Sequence, residues 1–252
     1  MCHEPDDHPP EAPAQGMLAG VQRRTLTASD GAECAATVAT TRRQGAPGIV
    51  IVPDVRGLHP FYERLAEQYA QAGVHALAVD QYGRTAGAEW RGAGFAYGPL
   101  VADASATVHL DIAAAAQALR EAGCERVFVT GFCFGGRAAL MAAAAEGVDG
   151  VIGFYGWPVT AGVDGASPES LARERRLRAP VLALFGEADE GIPPGDVERY
   201  ADALRASGVA HDVRVYADAP HSFFDRARTG HAGHCADAWG RALAFIETGH
   251  PA

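Results

Sequence analysis

The chain is predicted to form a three-layer α/β fold, a mostly parallel sheet flanked by helices and preceded by an N-terminal β-hairpin. Two observations lead there. Strand-like and helix-like segments alternate along nearly the whole chain, and repeated strand–helix units give parallel strands with helices packed on both faces. Strand-like segments such as "PGIVIVPDV" are apolar, β-branched runs that do not alternate with polar residues, as expected of strands buried on both sides.

The elements follow in order. Residues 1–18, beginning "MCHEPDDHPPEAPAQG", are acidic and proline-rich and lack the positive start and apolar core of a secretory signal. A disordered tail and a cytoplasmic location are expected, with one domain over residues 19–250. "RRTLTASDGAECAATVATTR" predicts a hairpin turning at Ser29–Asp30–Gly31. "PGIVIVPDV" is a buried strand, and "PFYERLAEQYAQAG" carries Phe61, Leu65 and Tyr69 at helical spacing before a capping Gly73. "VHALAVDQYG" is a strand and "DIAAAAQALREAG" the core of a helix. "RVFVTGF" is a strand running into Cys133, and "GRAALMAAAAEG" is the helix leaving it. "VDGVIGFYG" and "APVLALFGEAD" are strands separated by a polar segment. "GDVERYADALRASG" is a helix, "HDVRVYADAPHSF" a strand and loop, and "ADAWGRALAFIETG" the last helix. Residues 86–107 show no clear periodicity, the pattern of a lid or substrate-binding loop.

Composition excludes several functions. The net charge is −10 and no Lys/Arg-rich stripe stands out, so no nucleic-acid partner is expected. No apolar stretch reaches the length of a membrane span, and no membrane partner is expected. The five cysteines, Cys2, Cys34, Cys124, Cys133 and Cys235, are odd in number and include no C-x-x-C pair. That is neither a disulfide framework nor the spacing of a structural zinc site. His231, His234 and Cys235 cluster in "RTGHAGHC" without a second group of ligands, and no metal is expected. "GFCFGG" lacks the glycine spacing of a dinucleotide fold, so no cofactor is expected. The oligomeric state is left open.

In sheets of this kind ligands bind beyond the C-terminal ends of the strands. Three reactive residues fall there: Cys133, Asp189 and His221. Cys133 sits in G-x-C-x-G-G, where a strained strand-to-helix turn needs small neighbours two residues away. The N-terminus of the following helix favours a thiolate. A buried structural cysteine is the bland alternative, and Gly131 and Gly135 in this pattern argue against it. Asp189, in "LFGEADEG", and His221, in "APHSFF", follow two later strands. Glu187 and Glu190 flank Asp189, which is preferred because it lies three residues after Gly186. Nucleophile, acid, then histidine is the chain order of the α/β-hydrolase triad.

With "GFCFGG", "FGEAD" and "PHSFFDR" in this order, the chain from about Val21 to Thr248 resembles the dienelactone hydrolase family of α/β-hydrolases. The resemblance implies a three-layer α/β-hydrolase fold and a Cys133–His221–Asp189 triad. It implies hydrolysis of an activated ester or lactone through a thioester acyl-enzyme. The family's acidic residue after the first core strand, usually glutamate, is Asp54 here and one methylene shorter; it would help activate the thiol. Backbone N–H groups of Val55 and Phe134 would form the oxyanion hole. Arg84 in "QYGRTAG" matches an arginine that binds a substrate carboxylate. A second arginine, four residues after the family histidine, is replaced by Asp225, with Arg226 one residue on. Trp90, Phe95, Tyr97 and Trp157 are candidates for an apolar substrate pocket, or for core. Two alternatives stand beside the lactonase reading. One is a general carboxylesterase for small neutral esters; the other is a ligand-binding or redox-sensing protein whose thiol does not turn over.

Overall fold

The structure is a computed structural model that describes residues 3–87 and 94–251. Its strands are β1 (Leu18–Thr27), β2 (Glu33–Thr41), β3 (Gly48–Val52), β4 (His75–Val79), β5 (Val127–Phe132), β6 (Gly150–Phe154), β7 (Val181–Gly186) and β8 (His211–Tyr216). Its helices are α1 (Pro60–Gln71), the single turn α2 (Gly83–Ala86), α3 (Val101–Glu121), α4 (Phe134–Ala142), α5 (Pro168–Arg173), α6 (Pro194–Ser207) and α7 (Ala232–Thr248). The eight strands form one sheet in the order β1-β2-β4-β3-β5-β6-β7-β8. The β1–β2 and β2–β4 pairs are antiparallel, and every pair from β4–β3 onward is parallel. The expected hairpin is β1–β2, closed by Gly31 at φ 83.

The core follows from the apolar runs. Every residue of β3, β5, β6 and β7 is buried. Helix α1 starts at Pro60, whose missing N–H is one of the unpaired groups of a first turn. It buries Phe61, Tyr62, Leu65, Ala66, Tyr69 and Ala70 along one stripe.

Three differences from the sequence expectation matter for the site. Residues 98–107 are not a loop: a 3₁₀ turn at Gly98–Leu100 leads into α3, which begins ten residues before the predicted helical core. The first turns of α3 are built from small residues with no apolar stripe, which hides them in the sequence, yet Ala104 and Val108 are buried. Helix α5 lies in the segment expected to be merely polar, and a reciprocal Ser167–Ser170 capping box starts it. The third difference is at the N-terminus.

Residues 3–17, where a disordered tail is expected, form no helix or strand, and their backbone groups are bonded to the domain. Arg64 donates to the Pro5 and Asp7 carbonyls, Trp239 Nε1 to Glu11 O, and Gln68 Oε1 accepts from Ala12 N–H. Arg226 N–H donates to His8 O, and Asp225 Oδ1 accepts from His8 N–H. An irregular segment can stay ordered when its backbone groups find partners of this kind.

Candidate active site

Cys133 links β5 to α4 and has φ 55, ψ −112, a conformation that a non-glycine residue adopts only under constraint. The constraint is backbone crowding. A Cβ on Gly131 would stand 1.9 Å from the Gly135 carbonyl oxygen, and one on Gly135 would stand 2.1 Å from Val52 O. Only glycine fits at either place. Cys133 N–H is fixed to Phe154 O at 3.0 Å, so the turn is tied to the end of β6.

His221 lies on the loop after β8 and Asp189 on the loop after β7. His221 Nδ1 is 2.6 Å from Asp189 Oδ2, and Asp189 Oδ1 accepts the Gly191 N–H at 2.9 Å. Asp189 is buried, and the His221 side chain keeps 12 % of its surface exposed. A carboxylate in this position requires the His221 proton on Nδ1 and leaves Nε2 as a base. The His221 ring centroid is 4.9 Å from that of Tyr155 and 5.5 Å from that of Trp157, both tilted. Trp157 is itself held by a bond from Nε1 to Gly191 O at 2.8 Å.

Cys133, His221 and Asp189 line one cavity of about 660 Å³. Val55, Val101, Val108, Phe134, Ala138 and Trp157 supply most of its apolar wall, with Arg137 and Arg228 as cations. A volume of that size suits a small molecule. The Val55 and Phe134 N–H groups make no backbone or side-chain bond among the described residues, and Phe134 opens α4, where a first-turn N–H has no acceptor within the helix. A second hollow of about 620 Å³ between α3 and α4 shares Ser105, Val108, Arg137 and Ala138 with this cavity but reaches none of the three reactive residues.

The family model for "Dienelactone hydrolase family" matches residues 34–249. The chain belongs to the dienelactone hydrolase family. It is 31% identical over 237 residues to a "Putative carboxymethylenebutenolidase" of Methylorubrum extorquens, an alignment covering 90% of this chain and 80% of that one. It is 30% identical over 214 residues to a protein of the same description in Escherichia coli K12, covering 80% of this chain and 76% of that one. A crystal structure described as a "Putative Dienelactone Hydrolase" from Klebsiella pneumoniae superposes with TM-score 0.78 at 28% identity, covering 91% of this chain and 99% of the other. The chain is therefore a hydrolase of the dienelactone hydrolase type with an α/β-hydrolase fold, and its substrate is a small molecule.

In this dienelactone hydrolase relative the remaining expected residues fare unevenly. Asp54 is fully buried beside the turn after β3. Its Oδ2 accepts the His3 N–H at 3.0 Å and lies 3.8 Å from His59 Nε2, while Oδ1 accepts the Arg56 N–H at 2.8 Å. Burial alone would raise its carboxyl, but the His59 imidazole, then His3 and the Arg56 N–H, hold it below the ordinary carboxylate range. Arg84 does not line the cavity. Its guanidinium is bonded to Asp30 and to the buried Asp111, which commits the fork to an internal ion pair in place of the expected substrate carboxylate. Arg226 faces Pro9 O and Glu11 of the N-terminal segment. Of the aromatic candidates Trp157 lines the cavity and Tyr97 does not; Phe95 packs on Tyr82. Trp90 lies outside the described residues.

Arg137 and Arg228 are the cations that sequence reasoning passed over. Arg137 stands one turn into the helix after Cys133, and its Nε and Nη2 donate to Thr160 O and Ala166 O. Arg228 Nη1 donates to His221 O and Ser222 O. Neither pairs with a carboxylate among the described residues. Arg137 had a legible signal, four residues after the cysteine on a helix; Arg228 had none. Among the described residues no group of three His, Cys, Asp or Glu side chains comes together as a metal site.

Proposed function

We propose that the protein hydrolyses a small activated ester or lactone through a thioester formed on Cys133. Nε2 of His221 takes the thiol proton, and the sulfur attacks the acyl carbon. The Val55 and Phe134 N–H groups receive the oxyanion of the tetrahedral intermediate. The C–O bond then breaks, and the leaving oxygen takes the proton back from His221. A water molecule, deprotonated by His221, attacks the thioester; the C–S bond breaks, releasing the acid and restoring the thiol. Asp189 holds the imidazole tautomer and stabilises its charged form throughout.

One observation carries the reading: a cysteine forced to positive φ between two glycines that admit no side chain, in the same cavity as a hydrogen-bonded His221–Asp189 pair. A good leaving group such as an enol suits a thiolate nucleophile, since it needs little protonation to depart. A second reading, a carboxylesterase for neutral esters, is favoured by the apolar wall and by the withdrawal of Arg84 into its ion pair.

The test is steady-state hydrolysis of a carboxylated dienelactone beside a neutral activated ester, by wild type and Cys133→Ala. Loss of turnover in the variant, with a Cys133 acyl adduct trapped by mass spectrometry in the wild type, supports the mechanism. Persistent turnover in Cys133→Ala refutes it. Preference between the two esters decides between the lactone and neutral-ester readings.

A further inference from the structure

The N-terminal segment does more than cover the core. It reaches three of the loops that build the site. His3 N–H binds Asp54 after β3, Arg56 pairs with Glu4, and His8 is bonded in both directions to Asp225 and Arg226 on the loop that carries His221. The third contact is with Tyr155, the residue that follows β6. His3 Nε2 lies 2.6 Å from the Tyr155 hydroxyl, while His3 Nδ1 lies 3.2 Å from Asp7 Oδ2. The imidazole is fully buried and stacks on Phe61 at 4.0 Å, only 9° from parallel. The segment's own residues, His3 to His8, precede the stretch matched by the family model, which starts at residue 34.

We propose that His3 is a positioning residue of the active site, which fixes the Tyr155 ring and through it the His221 imidazole. The Asp7 carboxylate accepts the proton on Nδ1, so Nε2 is a lone pair that accepts the Tyr155 O–H. Tyr155 stands at φ 39, and its N–H is fixed to Leu184 O at 2.8 Å. Held at backbone and hydroxyl, its ring stands with its centroid 4.9 Å from that of the His221 ring. An Asp7–His3–Tyr155 chain thus stands behind the Asp189–His221 pair. The titratable groups around His3 are Asp7 on its own segment, Asp54 and His59 on the turn leading into α1, Tyr62 on α1 and Tyr155 after β6. Burial keeps the imidazole below its usual pKa, which agrees with a neutral ring accepting from a phenol.

The inference rests on the role proposed for Cys133 and His221, and the experiment separates the two. On the full chain, His3→Ala, Tyr155→Phe and the double variant are compared for kcat, KM and the pH-rate profile, with alkylation of Cys133 by iodoacetamide followed by peptide mass spectrometry across pH. Burial pushes the Cys34 and Cys235 thiols up to about 12, so they stay protonated during that assay. Each single variant should lower kcat roughly tenfold, the scale of a catalytic group displaced by a fraction of an ångström. The double variant should be no slower than the worse single one, because both break one connection. His3→Gln, which keeps an acceptor near the Nε2 position, should recover most of the loss. If His3→Ala and Tyr155→Phe keep the wild-type kcat, pH-rate profile and alkylation profile, the segment is only a brace and the proposal fails, whatever the melting temperature does. Additive losses in the double variant also overturn it. Failure of the nucleophile assignment appears separately, as turnover in Cys133→Ala.

Discussion

Asp189→Asn gives the sharpest test of the proposed mechanism, because the structure dictates how the amide must sit. The wild-type carboxylate accepts two hydrogen bonds, from Gly191 N–H at 2.9 Å and from His221 Nδ1 at 2.6 Å. An amide has one acceptor and one donor end. If its oxygen keeps the Gly191 N–H, its NH₂ faces Nδ1, and His221 must present a lone pair there and carry its proton on Nε2. The nitrogen that should take the thiol proton is then already protonated. The reverse orientation sets NH₂ against the Gly191 N–H and forfeits a bond worth about 1 kcal/mol. Loss of the correct tautomer lowers kcat by roughly 10³–10⁴, which is about 4–5.5 kcal/mol at 1.36 kcal/mol per tenfold. The fold should barely notice, since both contacts survive as weaker neutral bonds; a loss of about 1 kcal/mol corresponds to a melting shift of roughly 2–4 °C for a domain this size. The assay is steady-state hydrolysis of whichever ester the wild type prefers, with a thermal melt on the same samples. Activity within tenfold of wild type would refute the role of Asp189 as the residue that sets the tautomer, and would turn attention to the neighbouring Glu187 and Glu190.

Two further outcomes follow from ion pairs and burial. Arg84→Ala leaves the buried Asp111 without its cation, so a stability loss of about 3 kcal/mol is expected. The ratio of kcat/KM for carboxylated and neutral esters should stay unchanged, and a collapse of that ratio would show that Arg84 leaves its ion pair to bind substrate. The pH dependence of stability tests the state of His3. Its unfolded value is near 6.5 and burial lowers it in the folded protein. Below pH 6.5 the unfolded chain therefore takes up the proton first, and stability falls with pH until the folded value is passed. Melting curves from pH 8 to 5 should drop more steeply for wild type than for His3→Gln, which has nothing to protonate there. Parallel curves would refute a buried neutral imidazole. The depressed carboxyls of Asp7 and Asp54 act in a separate, more acidic window, below the ordinary carboxylate value of 3.8.

What the sequence revealed and what it hid divide along the range of the interactions involved. The strands leading to Cys133 and Asp189, β5 and β7, were legible because burial on both faces writes a continuous apolar run, and the elbow because its glycines answer to local crowding; β8, ahead of His221, is partly exposed and carries no such run. Helix α3 was cut short because Val101–Leu110 alternates small and polar residues and has no stripe to read. Arg84 stood in the right loop, but Asp111 decides its partner from 27 residues away. The N-terminal segment is the extreme case. Its proline-rich, acidic composition resembles a solvated tail, and what orders it is a set of backbone carbonyls and N–H groups meeting side chains 51 to 228 residues distant. Composition averages over a segment and carries no record of such partners.

Asp54 and the N-terminal segment are best understood as one departure. A longer acid at that position has reach to spare for a thiol. Asp54 instead has one oxygen bound by Arg56 N–H and the other by His3 N–H, with the His59 imidazole nearby. Hydrogen bonds to the charged form hold it ionised, and an ionised carboxylate so occupied is a fixed negative charge and a poor base. In the proposed mechanism the thiol proton goes to His221, whose Nδ1 is bonded to Asp189 and whose ring stands close to those of Tyr155 and Trp157. On the proposed reading, the carboxylate after β3 holds the segment that carries His3, and His3 is bonded to Tyr155 beside the histidine assigned the proton transfer.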